Sequence, residues 1–87
     1  MPTVSAVVGS AVGLHARPAG IIADAADELD ADITIGVPGD EPVDAASALM
    51  IMTLGAGHGD TVEVSGDDEA AVAAIVALVE KDLDAED

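Results

Sequence analysis

The chain of 87 residues contains no cysteine, phenylalanine, tyrosine or tryptophan, and its only basic residues are Arg17 and Lys81. The missing thiols exclude a disulfide framework, thiolate chemistry and zinc–thiolate sites. Two cations against 18 carboxylates, a formal charge of -16, cannot build the basic patch that phosphate backbones require, so nucleic-acid binding is excluded. The same shortage excludes adhesion to an anionic membrane surface. No apolar run approaches the roughly 20 residues needed to span a bilayer. The first residues also lack a basic segment followed by an apolar one. A cytoplasmic domain without membrane insertion is therefore expected.

What is present is apolar bulk in small units. Hydrophobic residues make up 51% of the chain, enough for it to fold despite its acidity. The length suits a single domain over residues 1–87, and nothing in the pattern demands more than a monomer. Its core must be packed almost wholly by Ala, Val, Ile and Leu. The carboxylates are spread along the chain rather than gathered in a tail, with Asp outnumbering Glu twelve to six. High acidity, a single Lys and missing aromatics together resemble the composition of proteins from salt-in halophiles. The other reading is an ordinary acidic domain that docks on a basic partner.

Thr3 to Val8 alternates and is rich in β-branched residues, which predicts a first strand. A helix follows from Ala16, with Pro18 tolerated in its first turn. Ala19, Ile22, Ala23, Ala26 and Leu29 share one face of it, and Asp24, Asp27 and Glu28 point away. Asp32 to Val37 predicts a second strand. Glu41 to Asp44 predicts a short third one, at an edge because of Pro42. Ser47 suits the N-cap of a helix over Ala48 to Leu54, and Gly55, Gly57 and Gly59 punctuate a loop carrying His58. Thr61 to Ser65 predicts a fourth strand. Asp67 is the expected cap of a last helix with Val72, Ile75, Val76, Val79 and Leu83 on its inner face. The expected fold is α+β, an open-faced sandwich in the order βαββαβα, with a four-stranded antiparallel sheet and three helices on one face.

Few side chains can do more than pack or solvate. His15 falls between a glycine-rich loop and a helix start, where roughly half a positive charge and several backbone N–H groups favour an anion. That environment disfavours imidazolium, and neutral imidazole is the nucleophilic form. Arg17, two residues on, can balance a phosphoryl group. The pair fits phosphoryl acceptance better than hydrolysis. The plain alternative is a solvent-facing histidine beside an arginine that offsets nearby Asp. No third group orients a Ser–His pair, and His15 and His58 lack the spacing of metal ligands, so neither a metal nor a cofactor is expected. His58 reads as an exposed turn residue and Ser47 as a cap.

The segment Gly13-Leu14-His15-Ala16-Arg17-Pro18-Ala19 resembles the active-site signature of the HPr family, the histidine-containing phosphocarriers of the phosphoenolpyruvate-dependent sugar phosphotransferase system. Ala46-Ser47-Ala48-Leu49-Met50-Ile51-Met52-Thr53-Leu54-Gly55 resembles that family's regulatory-serine segment. Element order and length agree, so the resemblance covers essentially the whole chain. It implies a phosphoryl carrier, not an enzyme with its own turnover. His15 would accept phosphate on Nδ1 from phosphorylated enzyme I and pass it to a sugar-specific IIA domain, with Arg17 offsetting the charge. Ser47 matches the serine that a dedicated kinase modifies in some bacterial relatives. Ala16, Gly20, Ala48, Leu49 and Met52 match the patch that docks on partners.

The chain departs from the family at three places. Val12 stands where relatives commonly carry a polar residue that helps orient the imidazole or phosphate, leaving backbone groups or Ser10 for that task. Asp24 and Met50 stand where many relatives carry Lys. Two other readings remain: the same carrier chemistry feeding a phosphotransferase-dependent dihydroxyacetone kinase, and a non-catalytic interaction module using the Leu49–Met52 patch. At millimolar salt a charge of -16 strains the compact state, whereas molar salt shortens the Debye length to about 3 Å and removes most of that repulsion. Circular dichroism across a KCl series should therefore show stability rising with salt. Unchanged stability down to millimolar KCl refutes halophilic adaptation.

Overall fold

The computed structural model describes residues 3–11 and 13–81. In chain order these form β1 (Thr3–Val7), α1 (Ala16–Glu28), β2 (Ile33–Gly36), β3 (Val43–Asp44), α2 (Ala48–Met52), β4 (Thr61–Gly66) and α3 (Glu69–Glu80). The strands pair antiparallel in the order β1-β4-β2-β3, the open-faced α+β sandwich expected. Register puts Ala6 opposite Val62, and Val64 between Val4 and Ile35, so one face of the sheet is aliphatic. Thr3, Ser65, Thr34 and Asp44 form a row on the other, where the Thr3 and Ser65 hydroxyls are 2.9 Å apart. Successive strand residues face opposite sides, so this alternation alone selects the side that the helices cover.

The helices cover that side with short side chains. Pro18, Ala19, Ile22, Ala23 and Ala26 form the buried stripe of α1. Ala71, Val72, Ile75 and Val79 form that of α3. Ile22, Ile35, Ile51 and Ile75 head the fully buried residues, since no aromatic ring is available to fill the interior. Small residues compensate by letting backbones approach. At Gly9 the N–H donates to the Val79 carbonyl oxygen at 3.0 Å, and a Cβ there would overlap the Glu80 carbonyl oxygen. The exit of β1 is thereby fastened to the end of α3. No helix among the described residues is long and apolar enough to cross a membrane.

Several boundaries differ from expectation. Leu29 is 39% exposed rather than buried, because it is the C-cap of α1 and the chain turns away at Asp30 (φ 53°) before another turn can cover it. β3 is limited to two residues, since Pro42 lacks the N–H that would extend the ladder. α2 ends at Met52, where Thr53 becomes the C-cap and its hydroxyl donates to the Met50 carbonyl oxygen at 2.5 Å. Asp68, not Asp67, caps α3: its Oδ1 accepts from the N–H groups of Ala70 (3.0 Å) and Ala71 (3.3 Å). β4 runs one residue longer than expected, through Gly66, which leaves Asp67 in the turn. Leu83 lies outside the described residues.

Asp68→Ala should cost about 1 kcal/mol in chemical denaturation, and Asp67→Ala no more than about half of that. Both substitutions remove one negative charge, so the difference between them isolates the cap. Equal effects would refute this assignment.

Candidate functional site

A backbone contact carries the chain to His15. Gly13 has φ 84°, in the left-handed region, and a Cβ there would lie 2.6 Å from the Ala56 carbonyl oxygen and 2.8 Å from Gly57 Cα. Only glycine meets both demands. The next residue, Leu14, is buried and donates its N–H to that same Ala56 oxygen at 2.9 Å. The loop entering α1 is thus fastened to the loop leaving α2.

His15 is the N-cap of α1, with extended backbone (φ -97°, ψ -159°). Its carbonyl oxygen accepts from the Ala19 N–H at 2.9 Å, so the helix starts there. The imidazole makes no capping hydrogen bond to the helix, and the residue is exposed. Arg17 is exposed in the first turn, and Pro18 beneath it is buried. The helix N-terminus supplies outward N–H groups and partial positive charge at the histidine.

α2 stands next to this point. The Ser47 hydroxyl accepts from the Met50 N–H at 3.3 Å, which caps the helix, and Asp44 Oδ1 accepts from the Ala46 N–H at 2.9 Å just before it. Ile51 is fully buried and anchors the five-residue helix, while Leu49 is 69% exposed, Met50 41% and Met52 36%. Met52, Leu14, His15, Gly55, Ala56 and Gly57 line a shallow concavity of about 270 Å³. α1 packs on α2, so Ala16 and Gly20 of one and Ala48, Leu49 and Met52 of the other belong to neighbouring helices. Residues more than thirty positions apart in the chain therefore meet at His15.

Other candidates fall elsewhere. Ser10 is fully buried and its hydroxyl donates to the Lys81 carbonyl oxygen at 3.5 Å, at the end of α3. Val12 lies outside the described residues. His58 is exposed in a turn closed by Asp60, whose Oδ2 accepts from the Gly57 N–H at 2.9 Å. Asp24 and Met50 are both exposed, on α1 and α2. No group of three or more His, Asp or Glu among the described residues could hold a metal ion.

The distribution of carboxylates is the feature that sequence reasoning missed. None of the 18 occurs in residues 1–23 or 45–59. The first stretch carries His15 and the start of α1, and the second carries all of α2 and the Gly55–Gly59 loop. The fold brings the end of the first stretch against the second at His15. Carboxylates within a Debye length of about 8 Å at physiological salt would oppose a phosphoryl dianion. Neither stretch contributes one, and Arg17 is their one charged residue; Asp60, just beyond the second, accepts from the Gly57 N–H at the edge of the concavity.

The family model described as "PTS HPr component phosphorylation site" matches residues 3–81. The chain belongs to the HPr family. It is 44% identical over 71 residues to phosphocarrier protein HPr of Streptomyces coelicolor, which covers 82% of this chain and 76% of that one. It is 42% identical over 67 residues to phosphocarrier protein HPr of Haloferax volcanii, covering 76% and 75%. Among solved structures, HPr-C-His from Thermoanaerobacter tengcongensis matches with a TM-score of 0.85 and 32% identity, covering 99% of both chains. Phosphoryl carriage in the phosphotransferase system, not enzymatic turnover, is the role of this HPr-family chain.

Gly13→Ala should lower stability by about 1–3 kcal/mol, because it forces a side chain into a left-handed conformation against the Ala56 carbonyl. Gly20→Ala is the control: nothing lies within 4 Å of a Cβ there, and the substitution should raise helix stability by about 1 kcal/mol. Urea denaturation at fixed salt measures both.

Proposed function

We propose that His15 accepts the phosphoryl group on Nδ1 from phosphorylated enzyme I and passes it to a histidine of a sugar-specific IIA domain. The observation that carries this reading is an exposed histidine at a helix N-terminus, where two stretches of chain without carboxylates meet. In the first transfer the donor's bond to phosphorus breaks as the His15 N–P bond forms. In the second that N–P bond breaks in turn. Arg17 lowers the charge cost of each transfer, and the α1 N–H groups favour the anion.

Donor and acceptor must use the same surface in turn, so docking is transient. Ala16, Gly20, Ala48, Leu49 and Met52 form that surface, which accords with the exposure of Leu49 and Met52 beside His15. Ser47 is proposed as a regulatory phosphorylation position on the family resemblance. Its hydroxyl already caps α2, so a phosphate there acts at the edge of the docking surface. The chain works as a monomeric, single-domain cytoplasmic carrier adapted to high salt.

In molar KCl, phosphoenolpyruvate and the enzyme I encoded in the same genome should convert the chain to a single acid-labile phosphoryl adduct by intact mass. His15→Ala should abolish the adduct, and Arg17→Ala should slow its formation by roughly tenfold, equivalent to about 1.4 kcal/mol. No adduct on a folded chain facing self-phosphorylated enzyme I refutes the reading. It would turn attention to an interaction module on the Leu49–Met52 patch.

A further inference from the structure

The chain has no Cys, Trp or Tyr, and its methionines are Met1, Met50 and Met52. Among the described residues, the thioethers are thus confined to α2. Both are open to solvent, at 41% and 36%, and Met52 lines the concavity with His15. An oxidant reaching this molecule therefore finds its most reactive described side chains on the docking face. Hydrogen peroxide is neutral, so a charge of -16 does not repel it.

We propose that Met50 and Met52 form an oxidation-sensitive site at which hydrogen peroxide weakens docking of the phosphoryl donor. The inference rests on the reading of α2 as part of the docking surface. A sulfur lone pair attacks one peroxide oxygen, and the O–O bond breaks. The sulfur is oxidised by two electrons to the sulfoxide, and the second oxygen leaves as water after taking the proton of the first. The product is polar where the thioether was apolar and pliable. Residues 45–59 include no charged side chain, so this part of the surface has no ion pairs to offset the loss of apolar contact. The fold is untouched: Ile51, not either methionine, anchors α2 in the core, and the Ser47 cap involves only the Met50 backbone N–H.

The test treats the full chain with hydrogen peroxide in molar KCl and locates sulfoxides by peptide mass mapping. Circular dichroism then checks the fold, and titration with enzyme I gives Kd. We expect sulfoxide at Met50 and Met52, an unchanged spectrum and a Kd raised by about tenfold. Methionine sulfoxide reductases should restore the original Kd. The Met50→Leu/Met52→Leu double variant, whatever its own Kd, should show the same value before and after peroxide. An unchanged Kd with both sulfurs oxidised overturns the inference, as does unfolding on oxidation or an equal loss in the double variant. The phosphoryl adduct on untreated protein is scored separately. Its absence counts against the carrier reading, while the Kd comparison still decides the oxidation site.

Discussion

The backbone contact between Leu14 and Ala56 is the join on which the rest of the site depends. Its hydrogen bond, 2.9 Å long, runs between two loops whose approach leaves no room for a Cβ at Gly13. Through it the N-terminus of α1 is held at the end of α2. The shallow concavity follows, because Leu14 forms one wall and the glycine-flanked Ala56 segment another. The backbone of His15 starts the helix, with its carbonyl committed to the Ala19 N–H and the residue exposed.

Electrostatics sets the second condition. A chain of charge -16 is a poor host for a phosphoryl dianion unless the charge is kept away from the acceptor. Here residues 1–23 and 45–59 contain only Arg17 as a charged residue, and the carboxylates that come closest in the chain to the second stretch, Asp44 and Asp60, are tied to the N–H groups of Ala46 and Gly57. The acid-rich surface and the phosphoryl chemistry thus coexist by segregation. Screening in salt shortens the reach of the outlying carboxylates, and that makes the segregation effective over short distances.

The same segregation shapes recognition. In the proposed docking, with Asp24 and Met50 on the surface, apolar contact through the exposed Leu49, Met50 and Met52 takes the place of ion pairs. Ile51, with half-buried Ala48 beside it, seats the five-residue helix on the core while Leu49, Met50 and Met52 stay exposed. Affinity of that kind depends on the chemical state of a few exposed groups, and thioethers are the ones whose state can change.

Local information in the chain was sufficient for much of this. Two-residue alternation chose the strands and their inner face, the spacing of Ala19, Ile22, Ala23 and Ala26 chose the buried side of α1, and Ser47 chose the start of α2. The placement of His15 and Arg17 at a helix start was legible too, because a helix start after a glycine-rich loop is a local feature with its own electrostatics. Termini were less legible: the burial of Leu29 and the choice between Asp67 and Asp68 depended on where neighbouring elements stop, which no local pattern encodes. The meeting of carboxylate-free segments was visible only as two unrelated gaps at residues 1–23 and 45–59. Periodicity and capping act within a few residues, so the sequence by itself determined the elements and the place of His15 at a helix start. Burial, close backbone approach and electrostatic screening act through space, so only the tertiary structure decided that those gaps meet around His15.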